Sequence, residues 1–238
     1  ERPTAAALAA TLTEVARVIR DEAPDVVLLQ EVDCGARRSD HTDQVALLLA
    51  ELEGRYPCHA ATYYWKAAYV PHPRIRGRVG TKLAVLSRYK LGRAVRHALA
   101  PITTDDVVTR QFNLKRAILE VVLPTAEGRE LSILNVHLSA FSRGSDTLVR
   151  QTAEVLRVLD RATAAGRPFV LGGDFNLLPS ATAYDAMPAA RRYEYDRETH
   201  MGPFFARFAG VPPVAAAEGR LPLFRAANRM NAYNTYLL

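Results

Sequence analysis

This sequence is poor in the features that mark whole classes of protein. It holds only two cysteines, Cys34 and Cys58, in 238 residues, too few for a disulfide framework, and neither stands at a metal-ligand spacing. Both read as ordinary half-buried thiols. No apolar run approaches the ~18 residues that a membrane-spanning helix needs, and even the alanine-rich start is broken by Glu14, Arg17 and Arg20. Internal repeats and low-complexity linkers are also lacking, which leaves no sign of a solenoid or a tethered array. What remains is the composition of a globular domain, 49% hydrophobic and 24% charged, long enough to bury one sizeable core. A single α/β domain over residues 1–238 is the expectation.

Charge is present in excess of one sign. A net charge of +6 and a pI near 9.5 suit a phosphate-bearing partner such as nucleic acid, anionic lipid or a phosphorylated small molecule. Arginine makes up 27 of the 31 basic residues and alanine is abundant, a bias that GC-rich coding also produces, so net charge alone selects no partner. One cluster is denser. Pro71 to Lys82, with Arg74, Arg76, Arg78 and Lys82 around Gly77 and Gly80, reads as a flexible basic loop that would clamp a phosphate. Just upstream, Tyr63, Tyr64, Trp65 and Tyr69 are either stacking or lipid-facing surfaces or the alternating faces of a strand.

The coarse order of elements is mixed. Thr4 to Glu22 carries Leu8, Leu12, Val15 and Ile19 at helical spacing and ends ahead of Pro24, and Thr42 to Leu52 and Asp146 to Ala165 read as two more helices, the last with Ser145 as a candidate cap. Strands are expected at 25–32, 58–65, 82–87, 93–99, 114–123, 130–138 and 168–173. The short link from Pro124 to Arg129 indicates a hairpin and so antiparallel pairing. Many strands with helices between them argue α+β. Beyond Pro179 the pattern fades into short helices and an irregular C-terminal stretch.

Chemistry concentrates at strand ends. Pro168 to Asn176 delivers Asp174 and Asn176 straight after Gly172-Gly173; a carboxylate and a carboxamide offered together suit a metal-bound phosphate, because the neutral amide bonds a phosphate oxygen without repelling it. Asp25 to Val32 is an apolar strand ending in Glu31, and Leu131 to Leu138 is another ending in His137. A rigid strand fixes such a side chain while the loop beyond leaves room for substrate. Taken singly each group has a plainer reading: an Asx turn for Asp174, a surface ion pair for Glu31, a satisfied core group for His137.

Together these residues resemble the endonuclease/exonuclease/phosphatase superfamily of metal-dependent phosphoesterases. The likeness runs through several ordered motifs: Leu29-Gln30-Glu31-Val32, Gly80 with Leu86-Ser87-Arg88-Tyr89, Asn135-Val136-His137-Leu138, Arg150-Gln151, and Gly172 to Asn176. It implies a four-layer α/β/β/α sandwich of two largely antiparallel sheets flanked by helices. Family members usually open with a strand bearing an Asn ligand and close with a Ser-Asp-His strand. Neither is found here, so the chain is expected to be incomplete at both ends; Ser39-Asp40-His41 lies in a polar loop and is read as coincidence.

The resemblance assigns roles. Glu31 would hold Mg²⁺, with Mn²⁺ as a substitute, since Mg²⁺ takes one or two carboxylates, several waters and substrate phosphate. Asp174 would orient the attacking water, Asn176 would hold the phosphate, and His137 would hydrogen-bond a phosphate oxygen or shuttle a proton near neutral pH. Asn135, Lys115 and Arg116 would bind substrate, Arg116 as the two-pronged grip, although a surface ion pair explains it equally well. The expected activity is hydrolysis of a phosphodiester by an in-line activated water, with nucleic acid the favoured substrate. A phospholipid or sugar-phosphate headgroup phosphoesterase is one alternative, and an impaired fragment retaining a phosphate-binding core is another. A cytoplasmic location is the default, with secretion left open because the chain begins without Met, and oligomeric state is not legible.

Overall fold

The computed structural model describes residues 3–73, 75–126, 128–140, 144–208 and 235–237. Helix α1 (Ala5–Glu22) starts where Thr4 Oγ1 accepts the Ala7 N–H at 3.1 Å and stops at Ala23, whose φ of +45° turns the chain ahead of Pro24. Strand β1 (Val26–Asp33) follows, then α2 (Gln44–Glu51), capped by Asp43 Oδ1 on the Val45 and Ala46 N–H groups. Strands β2 (Cys58–Val70), β3 (Gly77–Ser87) and β4 (Ala94–Ala98) lead to the short helix α3 (Val107–Phe112). The β5 (Ala117–Pro124) and β6 (Glu130–His137) hairpin, α4 (Thr147–Ala164) and β7 (Phe169–Asp174) complete the centre. Helices α5 (Ala181–Asp185) and α6 (Gly202–Arg207) and strand β8 (Thr235–Leu237) come last.

The strands form two sheets. One is antiparallel throughout in the order β1-β3-β2; the other runs β4-β5-β6-β7-β8, antiparallel except for the β6/β7 pair that α4 connects. Side-chain alternation explains the stacking. Along β3, Leu83 and Val85 meet Ala117, Leu119, Val121 and Ile133 between the sheets, while Ala84 and Leu86 turn outward onto Ile19, Val45, Leu48 and Leu52 of α1 and α2. On the second sheet Ile118, Leu134, Val136 and Leu171 face Val155 and Leu159 of α4. Three apolar seams therefore bind four layers, α/β/β/α, as expected.

Several local expectations need correction. Half of the basic loop is strand, because β3 already begins at Gly77, where a Cβ would stand 2.4 Å from Arg37 Cδ. Lys82 is not free to clamp phosphate: its Nζ lies 3.3 Å from Asp43 Oδ2 and over the Tyr63 ring. Arg74 lies outside the described residues. Asp146, not Ser145, precedes α4, although Ser145 Oγ reaches the Thr147 hydroxyl at 2.8 Å. The irregular stretch expected after Gly219 lies outside the described residues, apart from β8. Cys34 and Cys58 are both free thiols of intermediate burial.

Candidate active site

Strand register lines up three polar groups. Ile118 of β5 pairs antiparallel with Val136 of β6, and His137 of β6 stands opposite Asp174 of the parallel β7. Arg116, just ahead of β5, thus emerges beside His137 and Asp174 at one end of the second sheet. The first sheet is tied to that end by Asn135. Its Nδ2 donates to the Leu29 and Ala84 carbonyls at 2.9 Å each, and its Oδ1 accepts from Gln30 Nε2 at 2.7 Å. Glu31 follows at once, exposed and with φ +56°, where a bulge interrupts β1. Asn135 is wholly buried and both its N–H groups are taken, so it supports the site through hydrogen bonds and does not offer those N–H groups to a substrate: it is the stitch that holds Glu31 near the second sheet.

The Gly-Gly pair before Asp174 has a steric cause. At Gly173, φ +141°, an added Cβ would sit 2.0 Å from the Val136 carbonyl oxygen, so only glycine lets β7 run this close to β6. Beyond it, Asp174 Oδ1 accepts the Asn176 N–H at 2.9 Å in an Asx turn, and Asn176 adopts φ +50° while its Nδ2 donates to the Leu138 carbonyl at 2.9 Å. The Asx turn, the plainer reading of Asp174, is therefore present. Asp174 Oδ2 and Asn176 Oδ1 are not engaged by these bonds. Gln151 of α4 braces the same loop, accepting the Ser139 N–H at 2.9 Å.

Electrostatics set the site apart from the rest of the molecule. Arg116 is only 5% exposed, and its Nε and Nη1 have no hydrogen-bond partner among the described residues. Burial lowers the pKa of this guanidinium, against the pull of Tyr64, Glu31 and Asp174. Burial also pushes the Asp174 carboxyl up to about 6, with the nearby Glu31 adding to the rise. His137 is buried and pushed down to about 2, first by burial and then by the positive Arg116. It is therefore a neutral imidazole, which corrects the expectation of a group titrating near neutrality; its Nδ1 also lacks a partner among the described residues, and its Nε2 lies 3.8 Å from Asp174 Oδ2. Lys115 is exposed at the rim, its N–H donating to the Tyr64 carbonyl at 2.7 Å.

Tyr64 was not singled out as the floor of this site. Its ring lies beneath Arg116, 4.9 Å from Cζ to centroid, and packs edge-on to His137 at 5.3 Å. Its only sequence signal is membership of an aromatic run. Arg38, also missed, grips the buried Asp33 with two bonds of 2.7 and 2.9 Å and feels the field of Glu31.

Among the described residues no three His, Cys, Asp or Glu side chains gather into a metal cluster. The oxygen donors present are the Glu31 and Asp174 carboxylates, close enough for one to shift the other. That set fits Mg²⁺, which takes one or two carboxylates and completes its shell with water and substrate phosphate. The two Arg116 nitrogens without a partner among the described residues, Nε and Nη1, fit an incoming phosphate, since a buried donor left unpaired costs about 1–3 kcal/mol.

The class of protein is thus a four-layer, two-sheet sandwich with carboxylate, imidazole and guanidinium groups gathered at one end of its strands. The chain belongs to the Endonuclease/Exonuclease/phosphatase family, whose model matches residues 1–232. Among solved structures it is similar to an endonuclease/exonuclease/phosphatase from Beutenbergia cavernae DSM 12333, with 27% identity over 77% of this chain and 45% of that one and a TM-score of 0.53. It is also similar to a family protein from Leptotrichia buccalis C-1013-b, with 16% identity over 74% of this chain and 64% of that one and a TM-score of 0.50. The chain thus spans between about half and two thirds of the length of these structures. The comparison with curated proteins gave no match. No described helix is long and apolar enough to cross a membrane.

Proposed function

We propose that this protein hydrolyses a phosphodiester, with nucleic acid the favoured substrate, using Mg²⁺ held by Glu31 and water directed by Asp174. The observation that carries this reading is Arg116: a buried guanidinium whose Nε and Nη1 have no hydrogen-bond partner among the described residues, lying in the field of the Glu31 and Asp174 carboxylates. A phosphate oxygen would satisfy it. Bound Mg²⁺ would supply Lewis-acid polarisation of the phosphoryl oxygens and offset charge on the leaving oxygen. Asp174 Oδ1 is occupied by the Asn176 N–H, so Oδ2 would take the proton of the attacking water, and a carboxylate raised to about 6 is suited to that near neutral pH. His137, neutral, would bond a phosphate oxygen through a ring nitrogen, and Asn176 would steady the phosphate with its side-chain amide.

The test is hydrolysis of bis-p-nitrophenyl phosphate and of plasmid DNA with Mg²⁺, with Mn²⁺ and with EDTA. Metal-dependent cleavage is expected, with Asp174→Ala lowering kcat about a hundredfold or more and Arg116→Ala doing comparable damage, each at unchanged far-UV circular dichroism. Unchanged turnover in Asp174→Ala would overturn the mechanism.

A further inference from the structure

β2 does not alternate regularly beside the site. Tyr63 pairs with Lys82 and Trp65 with Thr81, so Tyr64 is an extra residue in a bulge. Regular alternation would send Tyr64 and Trp65 to opposite faces; the bulge instead lets both pack in the seam between the sheets. Tyr64 lies under Arg116, and Trp65, one residue or about 3.8 Å of backbone further on, walls an apolar groove of about 430 Å³ with Val70, Ile75, Val108 and Phe112. The groove and the phosphate-facing groups are carried by the same two segments. Trp65 Nε1–H donates to the Phe112 carbonyl and the Lys115 N–H to the Tyr64 carbonyl, both at 2.7 Å. Because the indole N–H lies in the ring plane, this anchor fixes the ring without covering its faces.

We infer that this groove holds the base of the nucleotide whose phosphate sits at Arg116, stacked on Trp65. The inference rests on the phosphodiesterase reading and deepens it. The volume suits one nucleoside and is too small for the paired chains of a membrane lipid. On the α3 side of the groove the polar side chains are engaged: the Thr109 hydroxyl donates to Asp106 Oδ2 at 2.7 Å, Asn113 Nδ2 donates to Asp105 Oδ2 at 2.7 Å, and Asn113 Oδ1 accepts the Leu114 N–H at 2.8 Å. A base would be held chiefly by its face, so binding is tolerant of sequence.

Trp65 is the single tryptophan of the chain, so its fluorescence reports the groove directly. Thymidylate and adenylate are expected to quench it, while deoxyribose phosphate, which lacks a base, does not. In kinetics, Trp65→Ala is expected to raise KM about tenfold for the p-nitrophenyl ester of thymidylate with little change in kcat, to leave methyl p-nitrophenyl phosphate unaffected, and to be largely rescued by Trp65→Phe. Equal losses on both esters, or no quenching by either nucleotide while both esters are cleaved, would overturn the inference and leave the phosphodiesterase reading standing. Quenching or a blue shift with phosphatidylserine vesicles and not with nucleotides would overturn it in favour of a lipid. Failure to cleave either ester with Mg²⁺ or Mn²⁺ would overturn the reading beneath it.

Discussion

At the scale of single residues, the site holds groups that fold at a cost. Asp174 is a case with a sign that can be checked. Its folded pKa of about 6 lies above the 3.8 of a free aspartate, so between those values the native state keeps a proton that the unfolded chain has lost. The contribution is destabilising above pH 6, by at most about 3 kcal/mol. Asp174→Asn retains an acceptor for the Asn176 N–H and removes the buried charge. In EDTA at pH 8 it is therefore expected to melt several degrees higher than the parent while losing turnover, and thermal unfolding beside a hydrolysis assay measures both; a lower Tm would contradict the burial argument. The wild-type rate should climb with pH through the region near 6, because the base works only once deprotonated. The placement of Glu31 near the end of β1, of Asp174 at the end of β7 and of Asn176 just beyond it was legible, because two apolar runs in the sequence each lead up to them. Tyr64 and the neutral state of His137 were not, since both arise from what packs around them across the fold.

At the scale of elements, the end of β1 is positioned by β6. Asn135 connects Leu29, Gln30 and Ala84 across the sheets, so Asn135→Ala would leave buried carbonyls without donors and is expected to cost about 2–4 kcal/mol in urea unfolding. Because Glu31 follows Gln30 directly, the surviving folded fraction should also need more Mg²⁺ for half-maximal rate. Asn135→Asp, which replaces both Nδ2 donors with an acceptor facing the same two carbonyls, should cost at least as much. A supporting hydrogen-bonding role for Asn135 was legible in Asn-X-His-Leu, but its partners, more than a hundred residues away, were not. The same limit explains β3: glycines at 77 and 80 read as loop, yet they are there because Arg37 and the Cys34 carbonyl approach within 2.4 and 2.1 Å of where a Cβ would be. Helix α3 was missed for a different reason. Asp106 caps it on the Val108 and Thr109 N–H groups at 2.8 and 2.9 Å, but two valines behind a cap are weak helix formers.

At the scale of the whole molecule, some basic groups serve the fold and not a partner, as where the second sheet closes. Glu120 of β5 accepts from Ser132 of β6 at 2.9 Å, meets His97 of β4 at 2.7 Å and receives Arg167, just ahead of β7, at 3.0 Å. One carboxylate thus joins four successive segments of the sheet, and these bonds, His97 first, hold its pKa near 2 against the opposing effect of burial. A depressed carboxylate contributes stability that is complete above its unfolded pKa of about 4.5 and is lost as pH falls toward 2, worth about 3 kcal/mol at most. Glu120→Gln should therefore lower stability to urea by about 2–3 kcal/mol at pH 7, and by progressively less as the parent is taken from pH 5 toward pH 2. The two unfolding curves should converge there. The site's own carboxylate, Asp174, moves the other way over an overlapping range, so the pair of variants separates charge that closes the sheet from charge kept for chemistry. A Glu120→Gln deficit that stayed constant with pH would mean that packing, and not this carboxylate's charge, holds the four segments together.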